Sequence, residues 1–251
     1  MCIAVHKPRD SSRVNSEIMK NIFVTGTDTG VGKTVISSSL SAYLSIKKRL
    51  DVGVMKPFES GIESTGERNT GDTWTLREAS GSRDDASEIN PYLFKAPLAP
   101  EAAAFMEKAT IDMGRVTAAY NRLAARHDVV IVEGAGGLLV PITEGFFYAD
   151  LICAWETPVI VVSRLTLGTI NHTLLTCSHL KSIGVKVLGV ILNDREGEND
   201  IASRTNPGML EKYLDVPLLG VFPHTPDLFE KGVDRQRLAD LFEKHIDCTV
   251  F

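Results

Sequence analysis

Six short apolar runs punctuate the chain, at 22–24, 52–55, 129–132, 159–162, 187–192 and 218–221. Each is continuous and rich in β-branched residues rather than alternating, the pattern of parallel strands covered on both faces. Between them lie segments with helical spacing, at about 33–48, 71–80, 111–127, 147–155, 168–182, 204–214 and 234–245. Strands alternating with helices predict an α/β fold, a doubly wound and mostly parallel sheet with helices on both faces. The stretch 90–101, NPYLFKAPLAPE, holds three prolines and reads as a shaped loop. The stretch 194–208, DREGENDIASRTNPG, is charged and contains glycine, and reads as a mobile lid. No repeat or linker divides the chain, so 19–251 reads as a single domain. Residues 1–18 are polar, without a core pattern or the apolar stretch of a secretory signal. They read as a disordered arm ahead of Met19, and truncation to Met19 is expected to leave activity intact.

Composition narrows the possibilities. A chain of 251 residues, 43% hydrophobic, can bury a large core. The formal charge of -5, with lysines and arginines scattered, argues against a nucleic-acid surface. No apolar run reaches the ~18 residues of a membrane span. Cys2, Cys153, Cys177 and Cys248 lie far apart with no CxxC, and read as reduced thiols of a cytoplasmic protein. His172 and His179 sit seven apart on a predicted helix, too far to share one ion.

The segment NIFVTGTDTGVGKTVISSSL, residues 21–40, reads as strand, glycine-rich loop and helix. Gly32, Lys33 and Thr34 close a phosphate-binding loop of the P-loop NTPase fold. Backbone N–H groups and a helix N-terminus cradle phosphates, the lysine reaches the outer phosphates, and the threonine hydroxyl binds Mg²⁺. The usual first glycine position is Thr27 here, and Gly26 stands one residue further back. Partition and septum-site ATPases share this topology but carry a signature lysine five residues before the loop lysine. That position is Asp28.

Four further stretches carry chemistry. Lys56, in MKPFESG, follows the second apolar run and would emerge at the ligand-binding end of a strand, able to neutralise charge in phosphoryl transfer. Glu133, in DVVIVEGAGGLLVPI, takes the position of a Mg²⁺-holding acid, whereas Asp128 lies at the wrong end of its strand. Asp72, near a helix start, reads as an N-cap. Asn193 and Asp194 end the 187–192 run, where a carboxamide can read adenine or simply form a turn.

Together the motifs FVTGTDTGVGKT, KPFESG, VEGAGGLLVPI, LGTINHTLLT and GVILND resemble the dethiobiotin synthetases from about residue 21 to 245. In that family the shifted first glycine is the usual pattern. The resemblance implies closure of a cyclic urea from 7,8-diaminopelargonic acid, CO₂ and MgATP. A carbamate and then a carbamic-phosphoric anhydride form on the way, and ADP and phosphate are released. It further implies Lys33 and Lys56 as catalytic cations, and Thr34, Asp72 and Glu133 as Mg²⁺ ligands. The nucleotide site would run from Thr29 and Gly30 through Val31, Gly32, Lys33 and Thr34 to Val35. It would include Gly134, Ala135 and Gly136, with Asn193, Asp194, Pro223, His224 and Thr225 around the base. Thr29 and Ser60 would hold the diamine and carbamate. In a homodimer with sites at the interface, Leu167, Gly168 and Asn171 would reach the partner's substrate carboxylate.

Two positions depart from the pattern. Gly30 stands where an acid can occur, which implies looser selectivity for ATP over other nucleotides. Glu101, in APLAPEAA, stands where a neutral residue or histidine would also fit. Three other readings compete. An amidotransferase-like ligase of cobalamin synthesis would need a glutaminase domain for which 251 residues leave no room. An ATPase switch lacks its lysine at Asp28. The last is an ATP-binding module without activity.

Overall fold

The structure is a computed structural model that describes residues 21–62, 71–197 and 199–251; the expected arm over 1–18 lies outside the described residues. In chain order the elements are β1 (Asn21–Gly26), α1 (Lys33–Ile46), β2 (Val52–Met55), β3 (Phe58–Ser60), α2 (Asp72–Ser80), α3 (Ala86–Ile89), β4 (Tyr92–Phe94), α4 (Pro100–Met106) and α5 (Met113–Arg126). There follow β5 (Val129–Gly137), β6 (Pro141–Thr143), β7 (Phe146–Phe147), α6 (Tyr148–Trp155), β8 (Val159–Arg164), α7 (Thr169–Ser182), β9 (Val187–Asn193), α8 (Ile201–Tyr213), β10 (Leu218–Phe222) and α9 (Arg235–His245). A short 3₁₀ turn, Cys248–Val250, comes last.

The six runs legible in the sequence form one parallel sheet in the order β10-β9-β8-β1-β5-β2. Both faces are covered, and the two-residue period of a strand divides its side chains between two cores. Ile22, Val24, Val129 and Ile131 join α1, α2 and α9 on one face; Phe23, Val130 and Val132 join α5, α6 and α7 on the other. That double coverage is why the runs are continuous rather than alternating. Helix α1 is buried along most of its length, and its Ser37, Ser38 and Ser39 hydroxyls are buried without hydrogen-bond partners. No helix among the described residues is long and apolar enough to cross a membrane.

Two expectations need correction. The stretch 90–101 is not simply a loop: Tyr92–Phe94 pairs in parallel with Phe58–Ser60, and Pro100 opens α4. Three-residue strands are too short to show a period, and proline at a first helical position favours the helix that it would break further in. The supposed lid is helical from Ile201 onward, with Pro207 inside α8. Asp200 caps the helix by accepting from the Ser203 N–H at 2.6 Å, so α8 begins before 204.

The order of the strands matters for the site. β1 and β8 are neighbours, and the connection leaving β1 runs through α1 to β2 on one side of the sheet while that leaving β8 runs through α7 to β9 on the other. At such a switch point the loops beyond the carboxyl ends of the strands open into a crevice.

Candidate functional site

The loop after β1 turns into α1 without a side-chain cap: Gly32 occupies the N-cap position at φ 90°. A Cβ there would lie 1.9 Å from Asn193 Nδ2, so only glycine fits. The first turn of α1 holds no acid, which leaves its N–H groups and dipole to an anion. Gly26 is needed for space rather than for its backbone angle. A Cβ on it would come within 2.9 Å of Lys33 Nζ, Val31 Cγ2 and the Asp28 carbonyl. The displaced first glycine therefore has a steric reason. Val31 is itself buried in the core, and its side chain packs beside Gly26.

Lys33 is 6% exposed, and its Nζ donates to the carbonyls of Gly136 at 2.7 Å and Asp28 at 3.1 Å. Burial and the neighbouring Lys56 ammonium lower its pKa to about 8. Lys56, 3% exposed, is fixed at its backbone by Ile89 and by the Asn90 side chain. Its Nζ bridges Glu133 Oε1 at 2.5 Å and Asp72 Oδ2 at 2.7 Å. Burial pulls this ammonium down, but the two carboxylates outweigh burial and raise its pKa above the ordinary lysine value. Asp72 shows the reciprocal balance: burial opposes its charge, Lys56 and Thr34 favour it, and its pKa ends lowered.

Thr34 Oγ1 donates to Glu133 Oε1 at 3.0 Å, and Glu133 Oε2 is buried with no hydrogen-bond partner. An orphaned carboxylate oxygen beside a hydroxyl and a second carboxylate is a set of hard oxygen donors. It suits Mg²⁺, which keeps waters and phosphate oxygens in its shell and needs no full protein cage. Among the described residues no cluster of three or more His, Cys, Asp or Glu could hold a metal by itself.

These groups line a cavity of about 590 Å³ that also takes in Thr29, Gly30, Val35, Ser60, Ala135 and Gly136. Gly134 is not among the lining residues; its carbonyl lies behind the wall, 3.4 Å from Lys56 Nζ. A second cavity of about 300 Å³ adjoins it, lined by Asn193, Asp194, Pro223, His224 and Thr225, with Val35 and Arg195 common to both. Asn193 Nδ2 donates to the Val31 carbonyl at 2.9 Å, so the carboxamide also ties β9 to the phosphate loop. Leu167, Gly168 and Asn171 are not brought to either cavity. They stand exposed at the entrance to α7, Leu167 at 87%. Glu101 lies in α4 and lines neither cavity. Asp128 accepts from the Asp51 N–H at 2.9 Å, at the opposite end of β5 from Glu133.

Several residues of the site escaped sequence reasoning. Glu59 is buried in the larger cavity and accepts from Asp72 N at 2.6 Å, Thr73 N at 3.3 Å and the Thr73 hydroxyl. It thereby caps α2 from another strand and fixes Asp72. Burial raises its pKa despite the Thr73 hydrogen bond. An acid directly before Ser60 in an otherwise buried run was the available signal. Arg164 donates to Asp28 Oδ2 at 3.1 Å and to the Thr29 carbonyl at 2.9 Å, so the residue in the signature-lysine position is held as an acid in an ion pair. A hydroxyl chain, Thr27 to Ser163 at 3.0 Å and Ser163 to Thr169 at 2.7 Å, ties the phosphate loop to the start of α7.

A doubly wound parallel sheet whose first strand ends in this loop, with a buried lysine and a strand-end acid, defines the P-loop NTPase fold. Residues 20–231 match a family model described as an AAA domain. Among solved structures, the septum site-determining protein MinD from Pyrococcus horikoshii aligns at TM-score 0.52 and 19% identity, over 90% of this chain and 93% of its own. A ParA family ATPase from Chlorobium tepidum aligns at TM-score 0.53 and 16% identity, over 93% and 97%. At such identities they share the fold alone. Sequence relatives are much closer. An ATP-dependent dethiobiotin synthetase BioD from Bacillus velezensis is 42% identical over 233 residues, 93% of this chain and 97% of its own. One from Anaeromyxobacter dehalogenans is 44% identical over 214 residues, 85% and 94%. The chain belongs to the AAA-domain family and, within it, to the ATP-dependent dethiobiotin synthetases.

Proposed function

We propose that the chain is an ATP-dependent ligase of biotin synthesis that closes the ureido ring of dethiobiotin. Its substrates are then 7,8-diaminopelargonic acid, CO₂ and ATP. The observation that carries this reading is what the larger cavity holds and lacks. Two buried ammonium groups face it, and among the described residues lining it there is no histidine or cysteine. Its three acids are already engaged: Glu133 and Asp72 by Lys56, and Glu59 by α2. Such a site offers no histidine or cysteine for covalent or acid–base work, and its acids serve as partners of a cation and of the α2 N–H groups. It suits a reaction whose substrate brings its own nucleophiles, needing only positioning and charge neutralisation.

One amine of the substrate adds to CO₂ and loses a proton, giving a carbamate. A carbamate oxygen attacks the γ-phosphorus, and the bond to ADP breaks. The second amine attacks the carbamate carbon, the carbon–oxygen bond to phosphate breaks, the amine proton leaves with the departing phosphate, and the ring closes. Lys33 and Lys56 offset the charge on the transferring phosphoryl group and on the carbamate. The raised pKa of Lys56 suits a permanent cation rather than a base. Thr34, Asp72 and Glu133 would hold Mg²⁺, which when bound neutralises the phosphate oxygens. Thr29 and Ser60, at the cavity edge, would orient the carbamate and diamine. The smaller cavity suits a base, with Pro223 and His224 as walls and Asn193 Oδ1 as the remaining acceptor for an adenine amino group.

The exposed entrance of α7 supports a homodimer in which Leu167, Gly168 and Asn171 complete the partner's site. Gly168, at φ 92°, begins α7 without a side-chain cap; the Thr169 N–H donates to the Thr166 carbonyl at 3.3 Å, and the next N–H groups, of Ile170 and Asn171, would meet a carboxylate. The test is to incubate the purified chain with ATP, Mg²⁺ and bicarbonate, with and without the diamine. ADP release that depends on the diamine, with dethiobiotin formed, is expected. ATP turnover indifferent to the diamine would indicate a switch, and no turnover an inactive nucleotide-binding module.

A further inference from the structure

Beyond Asn193 the chain crosses the mouth of the phosphate loop, and Arg195 folds back onto it. Its Nη1 donates to the Gly30 carbonyl, and its Cδ lies 3.6 Å from the place a Cβ on Gly32 would take. Arg195 lines both cavities, so its guanidinium stands at their junction. The other arginine on this loop, Arg164, is neutralised by Asp28. Arg195 is not: among the described residues no carboxylate lies within ion-pair distance of it, and the adjacent Asp194 side chain accepts from the Gly197 N–H instead.

Gly30 explains why the guanidinium has no acid beside it. A Cβ on this residue would lie 3.3 Å from Arg195 Nη1, so an acid here would meet the arginine directly. With glycine at φ 70°, the loop offers only a carbonyl. A planar cation held by one backbone acceptor, with its remaining donors toward a junction of two cavities, is suited to a phosphate.

Building on the nucleotide site proposed above, we infer that Arg195 is a nucleotide-binding residue. It takes the phosphate chain where this leaves the base cavity, on the side opposite Lys33, and Gly30 is the residue that leaves it available. The consequence is that Arg195 discriminates by phosphate charge and not by base.

The test is nucleotide binding to the full chain with Mg²⁺ and without the diamine, so that it is independent of ring closure. ADP is titrated calorimetrically, and adenosine is measured by competition against a fluorescent ADP analogue. Arg195→Gln is expected to weaken ADP about ten- to fiftyfold and adenosine less than about twofold. Arg195→Lys, which keeps the charge but not the fork, should fall between. The ADP affinity of Arg195→Gln should also depend less steeply on salt than that of the parent. Equal loss for ADP and adenosine, or less than about twofold loss for ADP, would overturn the assignment. A parent chain that binds no ADP would overturn the nucleotide site itself, and Arg195 with it.

Discussion

Replacing Lys33 by methionine should make the nucleotide-free protein more stable while removing its activity. The substitution keeps the apolar stem and removes a charge that the fold holds at a cost. The Lys33 ammonium is 6% exposed, and burial together with Lys56 holds its pKa at about 8 against an ordinary 10.5. That gap corresponds to roughly 3 kcal/mol against the charged form at neutral pH. Two hydrogen bonds, to the Gly136 and Asp28 carbonyls, are lost in the variant and offset about 1 kcal/mol each. The net gain is about 1 kcal/mol, a rise of about 2–4 °C in Tm for a chain of this size. The pH dependence carries the stronger test. Because the folded pKa lies below the unfolded one, the folded parent binds fewer protons between about pH 8 and pH 10.5. Its stability therefore rises across that window, the penalty being full below about 8 and gone above about 10.5. The Lys33→Met variant has no such term. Its lead should shrink from about pH 8 upward and reverse near the top of the window, where the parent keeps its two hydrogen bonds without the charge. Thermal unfolding without nucleotide, at about pH 7 and about pH 9.5, measures this. Added ADP should raise the Tm of the parent more than that of the variant. A variant that melts below the parent at pH 7, by a margin unchanged at the higher pH, refutes the reasoning.

Other substitutions probe the rest of the site. Lys56→Gln removes the bridge between Glu133 and Asp72. It should lower kcat at least about a hundredfold and stability by about 3 kcal/mol, with the Kd for ADP changed by less than about threefold. A collapse of ADP affinity would instead make Lys56 a nucleotide residue. Glu59→Ala frees the start of α2 and with it Asp72. Stability should fall by about 1 kcal/mol, and the Mg²⁺ concentration for half-maximal turnover should rise about tenfold. An unchanged Mg²⁺ requirement would reduce Glu59 to a helix cap. Ser38→Ala removes a fully buried hydroxyl that has no partner, and should raise stability by about 1 kcal/mol. A lower Tm would mean that the hydroxyl has a partner.

The six sheet strands were legible because burial on both faces leaves continuous β-branched runs, a signal each strand carries by itself. The helices of the α/β units were legible from their spacing, and their ends moved by only a few residues in most cases. The short pair of Phe58–Ser60 and Tyr92–Phe94 was not legible, since three residues hold less than two periods and each strand exists through the other. Asp72 reads as a cap on local grounds, yet its own helix is capped by Glu59, thirteen residues back. A cap reaching across that distance leaves no local pattern.

Sequence alone therefore determined the architecture, the phosphate loop and the identity of its lysine, hydroxyl and strand-end acid. These depend on neighbours along the chain: a strand, a turn too crowded for side chains, and a helix start. Tertiary structure decided what those groups are worth. It placed Lys56 between two acids that keep it charged and pressed Lys33 toward neutrality. It left one Glu133 oxygen without a partner and held Asp28 in an ion pair with Arg164. Each outcome depends on distance and desolvation between residues remote in sequence, and these exist only once the sheet has brought its strand ends together.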